Sequence, residues 1–261
     1  MHKLLFSGMT DPGLVRSSNQ DDYYLDPQGR FFVVADGMGG HAGGQEASHL
    51  ATITIRNYLE EQWDTPLSTR EILYKALILA NQAIIDDQKQ HPERADMGTT
   101  VVVLAFRQSD GTQPWCAHVG DSRLYRLRGP KIYQVTEDHT WIARAVRDGE
   151  LTVDQSRIHP WRHVLSQCLG REDMNRIDIQ SIEAQAGDRF LLCSDGLTEE
   201  LPDSLIASHL KSIRASESAA RALINSAKQQ GGRDNITVII VTLLQDKAPQ
   251  ESMIQTGFIV P

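Results

Sequence analysis

Phe31-Phe32-Val33-Val34-Ala35-Asp36-Gly37-Met38-Gly39-Gly40-His41 and Arg189-Phe190-Leu191-Leu192-Cys193-Ser194-Asp195-Gly196 share one pattern: a short apolar run that ends on Asp-Gly. Runs of this length, rich in β-branched and aromatic residues and closed by turn chemistry, predict buried strands. Outward from them, strands are predicted at residues 100–105, 115–119, 124–127, 132–135, 177–182 and 236–244. Between the first two strands, Ala47, Leu50, Ala51, Ile55, Tyr58 and Leu59 fall at helical spacing, and Leu73, Ala76, Leu77, Ala80 and Ile84 form a second apolar stripe. Two further helices are expected near 202–210 and 216–229. Helices that arrive in pairs and strands that arrive in runs point to an α+β layered architecture rather than a doubly wound parallel sheet.

Residues 137–170 break the pattern. They mix short helical pieces with His159-Pro160-Trp161-Arg162-His163 and are expected to form a flap-like insertion at the mouth of a site. Residues 1–244 are expected to make one domain and 245–261 a flexible tail.

The charge balance, 34 acidic against 26 basic side chains for a net −8, opposes non-specific attraction to nucleic acid or anionic lipid. No apolar run approaches the ~20 residues of a membrane span, and the N-terminus turns polar too early for a secretion signal. Cys116, Cys168 and Cys193 are widely spaced in apolar surroundings, so buried thiols are expected rather than a disulfide frame or a zinc site. A cytoplasmic, monomeric protein that binds neither nucleic acid nor membrane is the expectation.

The chemistry concentrates in aspartates. Asp36 and Asp195 close two strands, Asp121 follows a third at Val119-Gly120-Asp121, and Asp234 directly precedes the last strand in Gly231-Gly232-Arg233-Asp234-Asn235. A single Asp-Gly usually marks a turn. Four acids at strand ends are a different matter: gathered at one sheet edge they would repel one another without cations. Hard oxygen ligands of this kind suit Mg²⁺ or Mn²⁺. The glycines near these acids, lacking a Cβ, would let the backbone bend sharply and bring a carbonyl close to an ion. Arg16 carries a guanidinium able to grip two phosphate oxygens, although an isolated arginine is more often a surface residue. Asp21 alone would be a turn or capping residue. The loop 37–44 could cradle phosphate at a helix N-terminus, but it lacks the Gly-Lys-Ser/Thr ending of a nucleotide P-loop. His41 is a candidate general acid, against the commoner structural role of a loop histidine. His139, His159 and His163 fall in the insertion and could meet a substrate, against the commonplace reading of solvent-facing loop histidines. His118 reads as a core residue, and Gly98-Thr99-Thr100 as a strand entry whose hydroxyls satisfy backbone.

Taken in order, Arg16-x-x-Asn-Gln-Asp21, Asp36-Gly-Met-Gly-Gly-His41, Met97-Gly-Thr-Thr100, Gly120-Asp-Ser-Arg123, Ser194-Asp-Gly-Leu197 and Gly232-Arg-Asp-Asn235 resemble the type 2C metal-dependent serine/threonine protein phosphatases. The compact form is similar to the bacterial branch and most like its cyanobacterial members. The resemblance implies a central sandwich of two antiparallel sheets flanked by helix pairs, with metals in the channel between the sheets. It implies that Asp36 bridges two metals, with the Gly37 carbonyl on one of them. Asp195 and Asp234 would complete the other metal's ligands, and Asp121 would help hold a third, weaker ion. Arg16 would bind the substrate phosphate and Asp21 would order metal-bound water. The implied reaction is hydrolysis of phosphoserine or phosphothreonine by a metal-bridging hydroxide, without a phosphoenzyme. The resemblance also brings in the phosphorylated PII signalling protein as a candidate partner.

One position departs: eukaryotic relatives carry histidine directly after Asp-Gly, where this chain has Met38. Either His41 or a metal-bound water then protonates the leaving oxygen. Two other functions compete with the phosphatase. A non-catalytic module on this fold would typically have lost acids that are all present here. A two-metal nuclease or phosphodiesterase would call for a basic stripe that a −8 chain does not display.

Overall fold

The computed structural model describes residues 3–244 apart from 110, 112, 153–154 and 156–158, and apart from the side chains of 41 and 42. The expected tail 245–261 lies outside the described residues. One antiparallel sheet runs β1 (Leu4–Asp11), β11 (Ile236–Leu243), β10 (Arg189–Cys193), β7 (Arg123–Arg128), β8 (Lys131–Gln134). The other runs β2 (Asp21–Leu25), β3 (Phe31–Met38), β5 (Val101–Ala105), β6 (Trp115–Val119), β9 (Asp178–Ser181), with the two-residue β4 (Gly98–Thr99) paired to the end of β3. The sheets pack face to face. Helices α1 (Gly40–Gln62) and α2 (Thr69–Gln90) cover the second sheet. After α3 (Trp141–Arg147) and the single turn α4 (Asp195–Thr198), helices α5 (Asp203–Ser212) and α6 (Ser216–Gln230) cover the first. The layered α+β sandwich expected from the sequence is borne out.

The quoted runs are unbroken apolar because both faces of each strand are covered. Phe31 and Val33 face α1 and α2, packing on Ile55, Leu59 and Leu77. Phe32 and Val34 point the other way, into the inter-sheet core with Leu124, Phe190, Leu192 and Ile239. Leu191 and Cys193 turn to Ile206, Leu210 and Leu223 of the second helix pair. Truncating one of these large buried side chains to alanine costs about 3–5 kcal/mol for phenylalanine and 2–5 for leucine. Helix α2 starts on a capping box, in which Ser68 Oγ accepts the Glu71 N–H and the Glu71 carboxylate accepts the Ser68 N–H. Buried Arg107 donates to the Trp63, Thr65 and Leu67 carbonyls and closes the C-terminal end of α1.

Strands β1, β2 and β4 lie outside the sequence expectation. The Leu4–Asp11 segment, LLFSGMTD, is only partly buried at a sheet edge, so its pattern is mixed. Asp21 and Asp22 open β2, although aspartate disfavours strands. Pairing with β3, which sets Asp21 opposite Asp36, overrides that preference.

Candidate active site

At one end of the sandwich the two sheets deliver their acids to a common point. Asp36 is held by Thr99 and Thr100: its carbonyl accepts the Thr100 N–H (2.9 Å) and the Thr99 hydroxyl (2.8 Å), and its own N–H donates to Thr100 Oγ1 (3.3 Å). These threonine hydroxyls satisfy backbone, as the sequence suggested. The next residue, Gly37, lies so close to the start of α1 that a Cβ would sit 1.9 Å from the Gly44 carbonyl oxygen. In the other sheet, Asp195 begins α4, and a Cβ on Gly196 would lie 2.0 Å from the Asn235 carbonyl. Neither glycine has a positive φ. Glycine is needed here for close approach of backbone, not for the sharp bend expected.

A cavity of about 400 Å³ opens between the sheets, lined by Arg16, Asp36, Gly37, Asp121, Asp195 and Asp234. All five residues predicted around metals and the predicted phosphate clamp therefore meet at one place. Asp21 lies beneath it, buried, with Oδ2 accepting the Ser194 (2.8 Å) and Thr237 (2.6 Å) hydroxyls. Its Oδ1 is buried with no hydrogen-bond partner among the described residues. Arg16 Nη2 donates to Asp234 Oδ2 at 2.7 Å from the β1–β2 loop. Asn235 ties that loop to β11: its side-chain NH₂ donates to the Pro12 and Ser18 carbonyls, and its Oδ1 accepts the Gln20 N–H.

Burial and mutual repulsion lift the carboxyls together. Asp36 is pushed well above the usual range by desolvation and then by Asp21, Asp195 and Asp121. Asp121 is pushed well above it by desolvation and Asp195, and Asp195 is raised by desolvation and Asp234. Asp21 rises to about 7, burial outweighing its two hydroxyl donors. Carboxylate oxygens, an adjacent backbone carbonyl and an unpartnered buried oxygen form a donor set that suits a hard divalent cation keeping several waters.

Residues 15–237 match the protein phosphatase 2C family. The chain belongs to that family. It is 34% identical over 255 residues to the serine/threonine protein phosphatase PstP of Mycobacterium tuberculosis, which covers 97% of this chain and 48% of PstP. The chain thus spans about half the length of that relative. It is 34% identical over 244 residues to the protein phosphatase PhpP of Streptococcus pneumoniae, covering 92% of this chain and 98% of PhpP. Among solved structures, M. tuberculosis PstP superposes with a TM-score of 0.81 at 34% identity, over 93% of this chain and 99% of that one. A structure of the PstP catalytic domain in complex with two manganese ions gives 0.80, with the same identity and coverage.

This phosphatase 2C chain also places residues that the sequence did not. His139, expected among the ordinary loop histidines, is fully buried, because it accepts the Gly120 N–H and bonds to Asp178. His163 and Leu165 bring the insertion into the cavity lining. The Nδ1 atom of His163 contacts Glu199 Oε1, and Glu199 is pushed up to about 7 by burial and then by Asp195 and Asp234. A second cavity of about 800 Å³ adjoins the first, sharing Asp121, His163 and Asp195 and adding Arg162, Glu199 and Arg233. Helix α1 begins at Gly40, so His41 lies in its first turn; the His41 side chain is outside what is described. His118 is a buried residue of β6 as expected, and all three cysteines are free and buried.

Glu199, Ser194 and Thr237 went unrecognised as parts of the site. Ser194 stands in the Ser-Asp-Gly signature, and Thr237 is one of two threonines, with Thr242, in an otherwise apolar run, which is its only signal. Glu199 is brought in by the turn of α4 and had none.

Proposed function

We propose that this chain is a metal-dependent protein serine/threonine phosphatase that hydrolyses phosphoserine or phosphothreonine in other proteins. The observation that carries this reading is the convergence of Asp36, Asp121, Asp195 and Asp234 on one cavity with Arg16 at its wall. Asp36, the Gly37 carbonyl, Asp195 and Asp234 would hold two Mg²⁺ or Mn²⁺ ions, and Asp121 with Asp195 a third, weaker one. When bound, such ions lower the pKa of a coordinated water and place positive charge against the phosphoryl oxygens.

The chain's own residues supply the rest. Arg16 offers a planar fork of donors to the phosphate and leaves Asp234 for it, which neutralises charge that grows in the transition state. Asp21, held by Ser194 and Thr237, keeps one oxygen free to orient a water beneath Asp36. Water is the nucleophile in this reading, so no phosphoenzyme forms. Burial pushes the Cys193 thiol up to about 12, and the Cys116 thiol is raised more strongly still. The Ser194 hydroxyl is engaged with Asp21, and those of Thr100 and Ser122 with each other. None is a free nucleophile. In this reading residues 137–170 form a flap, and His41, or a water on a bound ion, would supply the proton to the leaving oxygen. We place the enzyme in the cytoplasm as a monomer, with phosphorylated PII as the first protein substrate to try.

The test is phosphate release from a phosphothreonine peptide and para-nitrophenyl phosphate with Mn²⁺. Activity should vanish in EDTA and return with metal. Full activity in EDTA, or faster hydrolysis of the bis-para-nitrophenyl diester than of the monoester, would overturn the reading.

A further inference from the structure

Asp121 sits in a turn that is pinned from an unexpected direction. The Gly120 N–H donates to His139 Nδ1 (3.2 Å), and the His139 N–H donates to the Gly120 carbonyl (2.9 Å). An Nδ1 that accepts leaves the ring proton on Nε2. That proton goes to Asp178 Oδ2 at 3.2 Å, a carboxylate fixed in turn by the Arg176 guanidinium (3.0 and 2.7 Å). The same tautomer rules out a metal site at the His118–His139–Asp178 grouping, because the His139 nitrogen that would have to ligate carries the proton.

His139 is also the root of the 137–170 insertion. Its carbonyl accepts the Ser166 N–H (2.7 Å), so both stems of the insertion meet at this residue. Its neighbours are tied to the two strands that flank this turn, β6 and β7. The Glu137 carbonyl lies 2.9 Å from His118 Nε2, and Asp138 takes a bidentate pair from Arg123 (2.9 and 2.6 Å). The His118 and His139 rings stack at 4.6 Å. On its other side Gly120 packs against Thr100, which holds Asp36.

We propose that His139 is a positioning residue for Asp121: from the root of the insertion it fixes the Gly120–Asp121 turn and thereby sets the affinity of Asp121 for a cation. This rests on the reading of Asp121 as a ligand of the weaker ion. Outer partners that orient ligands are worth roughly 10–100-fold in metal affinity. Acting through the turn, His139 should matter for that one ion and not for the two ions that Asp121 does not hold.

Mn²⁺ binding to the full chain, followed by calorimetry, tests it. Wild type should show a weak ion beyond the tight ones, and Asp121→Ala should lack it. His139→Ala should weaken that ion about tenfold and leave the tight ions unchanged. His139→Asn keeps an acceptor where Nδ1 stood and should retain wild-type binding. His139→Gln, which offers none there, should behave as the alanine variant does and takes its place if that variant does not fold. A full-strength weak ion in both the alanine and glutamine variants would overturn the proposal, as would equal loss at every ion or an asparagine variant no better than glutamine. If Asp121→Ala binds as wild type does, the ligand reading of Asp121 falls, and the role of His139 falls with it.

Discussion

Carboxylates around the sandwich fall into two groups that differ in their partners. Asp26, Asp178, Asp188 and Glu200 each accept two or more hydrogen bonds from an arginine: Arg30, Arg176, Arg128 and Arg233. Asp178 is drawn down to about 2, because the Arg176 and His139 bonds outweigh desolvation, and Glu200 is lowered chiefly by its bond to Arg233. Asp36 and Asp121 are drawn the other way by burial and by neighbouring acids, Asp195 among them, and Asp195 is raised by burial and by Asp234. Among the described residues Arg16 is the arginine in the cavity lining, and it engages Asp234. The four arginines of the first group are committed to structural acids and lie outside that lining. A cluster of four acids with one arginine among them is destabilising by itself and is suited to cations from outside.

The sharpest way to break this contrast is to remove a cavity acid. Asp195→Ala should lower phosphatase turnover by more than the roughly 100-fold upper range for losing an outer partner of a metal site; a rate within a few-fold of wild type would remove Asp195 from the centre. Next in size is the effect of metal on stability. At about 100 Kd of Mn²⁺ each bound ion should add about 2.7 kcal/mol to unfolding in urea, and the gain should shrink in Asp36→Asn.

Arg16→Ala should then cost about 10–100-fold in kcat/KM on a phosphopeptide, mostly through phosphate contacts that strengthen in the transition state. Mn²⁺ affinity should not fall, since the arginine competes with metal for Asp234.

The smallest effects are in pH dependence, and they have opposite signs in the two groups. The folded pKa of Asp178 is below the unfolded value of about 3.9, so its contribution is present above that value and is lost as pH falls toward about 2. Asp178→Asn should therefore flatten the acid limb of the stability curve there. In EDTA, Asp36 has its folded pKa raised, so the folded state binds more protons and stability falls as pH rises above about 4. Asp36→Asn should make the metal-free protein more stable than wild type at neutral pH. Thermal melts across pH for the two variants check both signs, and parallel curves would erase the contrast.

Much of this was legible before folding was considered. The runs ending at Asp36 and Asp195 declared themselves because a strand covered on both faces has no polar alternation to blur it. The helix pairs were equally plain from their stripes. Edge strand β1 and the acid-led β2 were not, since their residues satisfy neighbours in the sheet rather than any local preference. The ordered motifs pointed to Arg16 and the five metal-site residues, and these converge. His139 and Glu199 were out of reach: a buried histidine and a loop histidine look alike in sequence, and only the contact with Gly120 or Asp195 separates them.

By itself, then, the sequence determined the layers of the sandwich, the acids that close its strands and the family to which they belong, because apolar periodicity and motif order are local properties. Tertiary structure decided what each glycine was for, which hydroxyls hold Asp21, and that the insertion is bolted to the turn carrying Asp121. Those are contacts between segments far apart in the chain, such as Gly196 against Asn235 and Gly120 against His139, and distance in space is not written in spacing along the sequence.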